Sequence, residues 1–577
     1  MNKTTFAARV TSVLAAAVAA LLLAGCGAAD QSTQQQSTPT TVDGSLNKIV
    51  ATGDVSKSPA KANARKDTFV ATINSPSGVF LPYFQDNGWD GNATQPIFDS
   101  LVLTDDSGNP IPDLAESWEV SDNGLDYTYH LRKGLKFSDG SPLTTKDVAF
   151  TLTLLNDPAY SGGADFTNIG IKGADEYKNG NADSISGIKI KDDQTITIET
   201  TKVNPLSLTT LGGQVLSKAY YGKDYKKGQL DYLKDLYSKP MGDGPYQLDK
   251  YIDGQEIRYN ANPNYYGGKP KIAHLIFKVT SKDTALANFQ NGETDYDGFS
   301  PDPDNVDQLK SFGFASVRES TVPDISEIWI NNKNAILKDK QVRQALVYGL
   351  DRQQIVDVSL KGFGQVANVY AAPTQWSYTD KGVNTYKYNA DKAKKLLDEA
   401  GWKEGSDGIR EKDGKKLTIH YLTSKDDDPV VPIATENYKA IGVDFQPEVL
   451  DGDTIIQRWT QGGDWDLVGG FRTNGLVDPN DAVSEFLTDD KDINLTGYSN
   501  PEATKLGQEG ISTQDKDKRK EIYAKLYKVL NEDVPTIPLS YRQSVSAWNV
   551  RIKGADKYQT GNSDVAQVLA KLEIVSK

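Results

Sequence analysis

Three histidines, one cysteine and many carboxylates bound the chemistry open to this chain. His130, His274 and His420 are scattered, which leaves little for a His-rich metal site, and His130 and His420 stand in strand-like runs. Cys26 is the sole cysteine, excluding a disulfide framework and any cysteine-based zinc or iron–sulfur site. There is no Gly-x-Ser-x-Gly elbow, no Gly-x-x-x-x-Gly-Lys phosphate loop and no His-Glu-x-x-His helix. Gly362-Phe-Gly364-Gln-Val-Ala367 imitates a dinucleotide fingerprint, but it follows a helical pattern where that turn needs a preceding strand. Asp490-Lys-Asp492-Ile-Asn494 opens with calcium-loop spacing, yet Leu495 stands where the sharp turn needs glycine. Asp302, Asp304 and Asp307 read as a solvated acidic turn. No catalytic residues, cofactor or metal are expected from these residues. The 28 Tyr, 17 Phe and 8 Trp could line a cleft, because aromatics bring area at little rotamer cost.

The chain that must position them has 577 residues, 38% hydrophobic and 25% charged, with net charge -14. Mean hydropathy is -0.52 and the pI is near 4.9. Such a chain buries a large core but is too polar for a multi-span membrane protein, and its charge repels nucleic acid. Lys3 and Arg9 precede an apolar run from Val10 to Leu23, short for a bilayer span and right for a signal segment. Leu23-Ala24-Gly25-Cys26 resembles a bacterial lipobox, so residues 1–25 are expected to be removed and Cys26 lipidated. The exported protein would then be anchored to the outer face of the cell membrane. Residues 26–66 read as the lipidated Cys and a disordered tether, spanning roughly 35 Å as a flexible coil. The compact body is expected from Asp67, where Thr68–Ile73 alternates.

From there β-patterned runs alternate with modest helices, indicating a mixed α/β body. Asp126–Arg132 alternates at period two. Thr144 or Thr145 should cap a helix through Val148, Phe150 and Leu154. Further helices are expected over Lys340–Val356, with Arg343, Gln344 and Arg352 off its apolar stripe, over Asp391–Ala400 and over Lys516–Asn531.

Several runs carry a specific resemblance. Asp126-Tyr-Thr-Tyr-His-Leu-Arg-Lys-Gly-Leu-Lys-Phe-Ser-Asp-Gly-Ser-Pro-Leu-Thr-Thr-Lys-Asp-Val148 resembles the signature of the family 5 extracellular solute-binding proteins. Pro240-Met-Gly-Asp-Gly-Pro-Tyr246, Asn262–Pro270, Asp339–Ala345, Tyr388–Trp402 and Gly497–Pro501 keep the family's order. The family comprises oligopeptide-, dipeptide- and nickel-binding components of ABC importers. The resemblance implies a two-lobed, periplasmic-binding-protein-like α/β fold (type II, cluster C-like) with an extra inserted domain. Domain I would comprise 67–99, 206–323 and 536–577, domain II 100–205 and domain III 324–535.

The implied function is capture of oligopeptides between closing lobes and delivery to an ABC permease driven by ATPase subunits, by a monomer. A nickel role gains nothing from the composition. In peptide-binding relatives the strand corresponding to Asp464–Arg472 offers its main chain to the peptide, which places Gly470, Phe471 and Arg472 at the ligand. Those relatives follow it with an Asp for the ligand ammonium. Here the stretch is Thr473-Asn474-Gly475, so Asn474 offers only a neutral acceptor and Asp478 is the next carboxylate. Tyr160 and Asn494 match further ligand-facing positions. The missing Asp keeps a saccharide ligand open, with Trp89, Trp376, Phe471 and Asn474 as stacking and amide groups. An exported hydrolase or a peptide-binding chaperone or adhesin are the remaining classes.

Overall fold

The computed structural model describes residues 46–575 except 86, 165, 167–168, 461–464, 474–477, 480–482, 489–493 and 560–561. Cys26, Asn474 and the Asp490-Lys-Asp492 run therefore lie outside the described residues.

Folded structure begins before the expected Asp67. Asn47–Ala51 (β1) pairs antiparallel with residues 317–320, and the helix Ala60–Ala64 buries Ala62. A Cβ on Gly53 would stand 2.3 Å from the Phe314 carbonyl oxygen, so close approach of backbones fixes this segment. The expected tether cannot include residues 47–64. Main-chain pairing brought them into the body, and polar composition does not reveal that.

Thr68–Ile73 (β2) follows. Val102–Thr104 (β3) and Pro110–Pro112 (β4) form a hairpin. Ala115–Val120 (β5), Asp126–Leu131 (β6), Ile188–Ile190 (β7) and Thr195–Glu199 (β8) form a separate antiparallel sheet in the order β5-β6-β8-β7. Tyr127, Tyr129 and Leu131 of β6 are buried while the residues between them are half-exposed, the pattern of a sheet with one covered face. The helix Thr145–Leu155 shares that core. Thr144 Oγ1 accepts from the Lys146 N–H and Asp147 accepts from the Thr144 N–H, a reciprocal cap that fixes where the helix starts.

Tyr246–Ile252 (β9), Glu256–Ala261 (β10), His274–Val279 (β11), Tyr296–Phe299 (β12) and Ala315–Thr321 (β13) continue the first lobe around β2. Asp324–Ile330 (β14) and Gly364–Val366 (β15) open the second. Lys403–Glu404 (β16), Arg410–Lys412 (β17) and Lys415–Lys416 (β18) form a small ribbon. Thr418–Thr423 (β19), Asp444–Val449 (β20), Leu467–Thr473 (β21) and Thr536–Asn549 (β22) complete a thirteen-stranded sheet whose main path is β20-β19-β21-β14-β22-β12-β2-β11-β10-β9. The long strand β22 is the joint. Residues 536–542 pair with β14 and β15, and residues 543–549 with β12 and β13. The pairing thus changes lobe at 542/543, inside the strand, whereas the resemblance implies a domain border at 535/536. With the step from β13 to β14 at Val322-Pro323, two chain crossings connect the lobes through the sheet, giving the two-lobed α/β fold.

The helix expected over Lys340–Val356 is two helices, Lys340–Tyr348 and Arg352–Leu360. Gly349 closes the first and the Asp351 carboxylate, accepting from the Gln354 N–H, caps the second. Arg343 and Arg352, expected off the apolar stripe, are buried. Their guanidinium groups donate to main-chain carbonyls, Arg343 to Leu337 and Val534 and Arg352 to Ala367 and Pro538. They act as staples under the joint, a use a charge pattern does not disclose.

Candidate ligand-binding site

Strand β21 is the place where regular pairing stops short. On one side all seven residues pair with β14, from Leu467 opposite Ile330 to Thr473 opposite Asp324. On the other side β19 runs parallel and pairs only with Leu467 and Val468. Among the described pairings, Gly469–Thr473 therefore present one unpaired edge of main-chain groups. The sequence causes this locally. After Thr423 the chain turns away under the control of Asp428, whose carboxylate accepts from Tyr421 Oη at 2.7 Å, Thr423 Oγ1 at 2.8 Å and the Val430 N–H at 3.0 Å. Tyr421 lies across β21, and a Cβ on Gly469 would meet its hydroxyl at 2.2 Å. Glycine is required there for close approach rather than for an unusual φ. An unpaired edge of this kind can hydrogen-bond any extended chain.

The residues expected at the ligand fall into two groups. Gly470, Phe471 and Arg472 lie on this open half, opposite Glu327, Ser326 and Ile325 of β14. Asn474 lies outside the described residues, and Asp478, Asn494 and Tyr160 spend their polar atoms on the protein. Asp478 is gripped by Arg519 through two hydrogen bonds of 2.7 and 2.8 Å. Arg519 also donates to the Gly510 carbonyl and stacks on Trp376 and Tyr523. Burial lowers the Arg519 pKa, but the Asp478 carboxylate more than offsets this and the net direction is upward. A ligand ammonium at Asp478 would have to compete with that guanidinium. Asn494 is buried, its amide donating to the Thr488 and Tyr498 carbonyls at 2.8 and 2.7 Å, so it fixes its own loop. Tyr160 donates to the Tyr83 carbonyl and accepts from the Ala164 N–H, both at 2.8 Å, with Phe84 edge-on to its ring. Tyr83 itself has φ of 70°, a strained conformation for an aromatic residue, held by these contacts and by its own hydroxyl donating to the Gln214 carbonyl.

The acidic turn is solvated, with Asp304 and Asp307 exposed, while Asp302 caps the helix Pro303–Ser311 and pairs with Lys361 at 2.6 Å. Among the described residues no cluster of three or more His, Cys, Asp or Glu could hold a metal ion.

Three features were not anticipated. Lys516, at the start of the helix Lys516–Asp533, reaches the β3–β4 turn and donates to the Ser107 carbonyl at 2.6 Å and Asn109 Oδ1 at 2.7 Å. It ties the second lobe to the first away from β22. Second, Asp99, Asp113 and Asp243 are buried together in the first lobe. Burial pushes the Asp113 carboxyl up to about 6, against hydrogen bonds from Tyr266, Ser100 and Gln567. Burial, then repulsion from Asp113, pushes Asp99 and Asp243 well above the usual range. Third, Trp329 and Trp459 stack beside Gly470. The Gly469-Gly470 doublet inside a strand pattern was the one sequence signal that could have pointed there.

Residues 109–494 match the bacterial extracellular solute-binding proteins, family 5 Middle. The oligopeptide-binding protein AppA of Bacillus subtilis (strain 168) is 29% identical over 509 residues, covering 86% of this chain and 90% of that protein. Heme-binding protein A of Haemophilus influenzae is 28% identical over 565 residues, with coverages of 95% and 96%. Among solved structures, lactococcal OppA complexed with an endogenous peptide in the closed conformation is similar with a TM-score of 0.70 and 25% identity, covering 88% of this chain and 99% of that one. A matched region longer than half the chain and a two-lobed sheet joined through one long strand lead to the same place: this chain belongs to the family 5 bacterial extracellular solute-binding proteins.

Proposed function

We propose that this chain captures oligopeptides for an ABC importer, holding them extended along the open edge of β21. The observation that carries this reading is the edge of Gly469–Thr473 away from β14, which has no strand partner among the described residues. It offers donors and acceptors that are indifferent to ligand side chains, as uptake of mixed peptides requires. Relatives named for oligopeptides support the same reading. Gly470, Phe471 and Arg472 contribute main-chain groups, and Asn474, just beyond, supplies a neutral acceptor. The lobes swing about β22 and the β13–β14 step, and ligand touching both lobes favours the closed state. The closed form then delivers to a permease, while lipid on Cys26 keeps the protein at the membrane. The saccharide alternative gains no support: Trp376, one of its stacking candidates, already carries Lys516 and Arg519 against its ring.

Native mass spectrometry of the exported chain, purified without refolding, with sequencing of whatever is released, tests this. A ladder of peptides is the expected result. A glycan or heme mass would overturn it.

A further inference from the structure

Trp329 of β14 and Trp459 of the helix Gly452–Thr460 have ring centroids 3.9 Å apart and planes inclined by 32°. Trp329 stands opposite Val468 and diagonal to Gly470. Because Gly470 has no side chain, the far end of the Trp329 indole lies over it; a Cβ there would be 4.0 Å from Cζ3 and Cη2. An indole rooted one strand inside the sheet thus extends across β21 toward its open edge. Leu422, Ile455, Trp465 and Val468 form the apolar floor, with Leu450 and Trp459 packed against it. Both indole Nε1 groups are shielded from solvent and donate to nothing among the described residues, although neither tryptophan is fully buried. Shielded donors without partners are uncommon and destabilising in a native protein.

We propose that the Trp329–Trp459 pair is a side-chain subsite of the open edge and that it selects an aromatic residue of the bound peptide. This rests on the peptide reading above. A ligand strand on β21 sends alternate side chains to the two faces of the sheet, so one residue in two reaches the face that carries Trp329. An aromatic ring stacks on the indole faces, which an aliphatic side chain does not do.

The test is calorimetric titration of the full chain with hexa-alanine peptides in which Leu, Phe or Tyr is placed at each position in turn. The expected result is that Phe and Tyr bind at least tenfold more tightly than Ala or Leu at positions on one face of the ligand strand. Trp459→Leu removes that preference, while Trp459→Phe, which keeps a ring, retains part of it. Uniform affinity across the series, or a preference that survives Trp459→Leu, overturns the subsite and leaves peptide capture standing. No binding by any peptide overturns both.

Discussion

Along β6, Tyr127 to His130 are paired with β5 on one side and β8 on the other, whereas along β21 only Leu467 and Val468 have strands on both sides among the described residues. The first strand is finished by packing. Tyr127 and Tyr129 are buried, and their hydroxyls donate to the Gly124 and Leu208 carbonyls at 2.9 and 2.7 Å. The second carries two adjacent glycines, and a tyrosine from the next strand occupies the space a side chain at Gly469 would need. A sheet built only for stability would close that edge, since an open one invites association. The difference teaches that the β5–β8 sheet is scaffold, while β21 gives up local regularity along the edge that the proposed reading assigns to a ligand strand.

Changing pH should separate the two regions most strongly. Folded, the Asp113 carboxyl holds its proton to about pH 6, against a usual 3.8. The folded state binds more protons between those values, so this stability is fully present below about pH 4 and is lost as pH rises through 6. For Asp113 alone the loss is on the order of 3 kcal/mol by pH 8, and Asp99 and Asp243 act in the same direction. Because the cluster lies in the first lobe, amide exchange corrected for intrinsic rate should show β5–β8 losing protection between pH 5 and 8 more than β14 and β21 do. Asp243→Asn should flatten that dependence; equal losses in both regions would break the contrast.

The next effect is at Gly469. Alanine there must displace the Tyr421 ring and its hydrogen bond to Asp428, costing about 1–3 kcal/mol in urea unfolding. It should also weaken peptide binding, because the turn that uncovers β21 loses its anchor. Unchanged binding in a variant that does lose stability would mean the open edge is not where ligand sits.

Lys516→Ala should have the smallest effect. The lysine donates two hydrogen bonds to neutral groups of the β3–β4 turn, so global stability should change by less than about 1 kcal/mol. A similar change in the balance between open and closed lobes is about fivefold in population. Small-angle scattering without ligand should therefore show a larger radius of gyration for the variant. Identical curves would show that the bridge does not hold the lobes.

Much of the scaffold was legible because it follows local rules. Thr144 and Asp147 announce their helix by reciprocal capping, Gly401 ends the one before it with φ of 87°, and β6 alternates as a half-buried strand should. What stayed hidden depends on partners distant in sequence. β1 is ordered by a strand some 270 residues away, a distance no local pattern reports. The break at Gly349 sits within a continuous apolar stripe, because Leu350 is buried although it belongs to neither helix. The strand that carries Gly470, Phe471 and Arg472 was readable from the sequence. The occupation of Asp478 by Arg519 was not, since a carboxylate's partner is set by tertiary packing. Trp329 and Trp459 were likewise invisible as a pair, 130 positions apart.

The central claim is that an extended ligand completes β21. Amide exchange resolved to single residues, with and without the peptide mixture released from the native protein, tests it most directly. The account expects amides of Gly469–Thr473 that point away from β14 to slow at least tenfold on binding, with β5–β8 unchanged. Ligand bound tightly while those amides exchange at their free rate would contradict it.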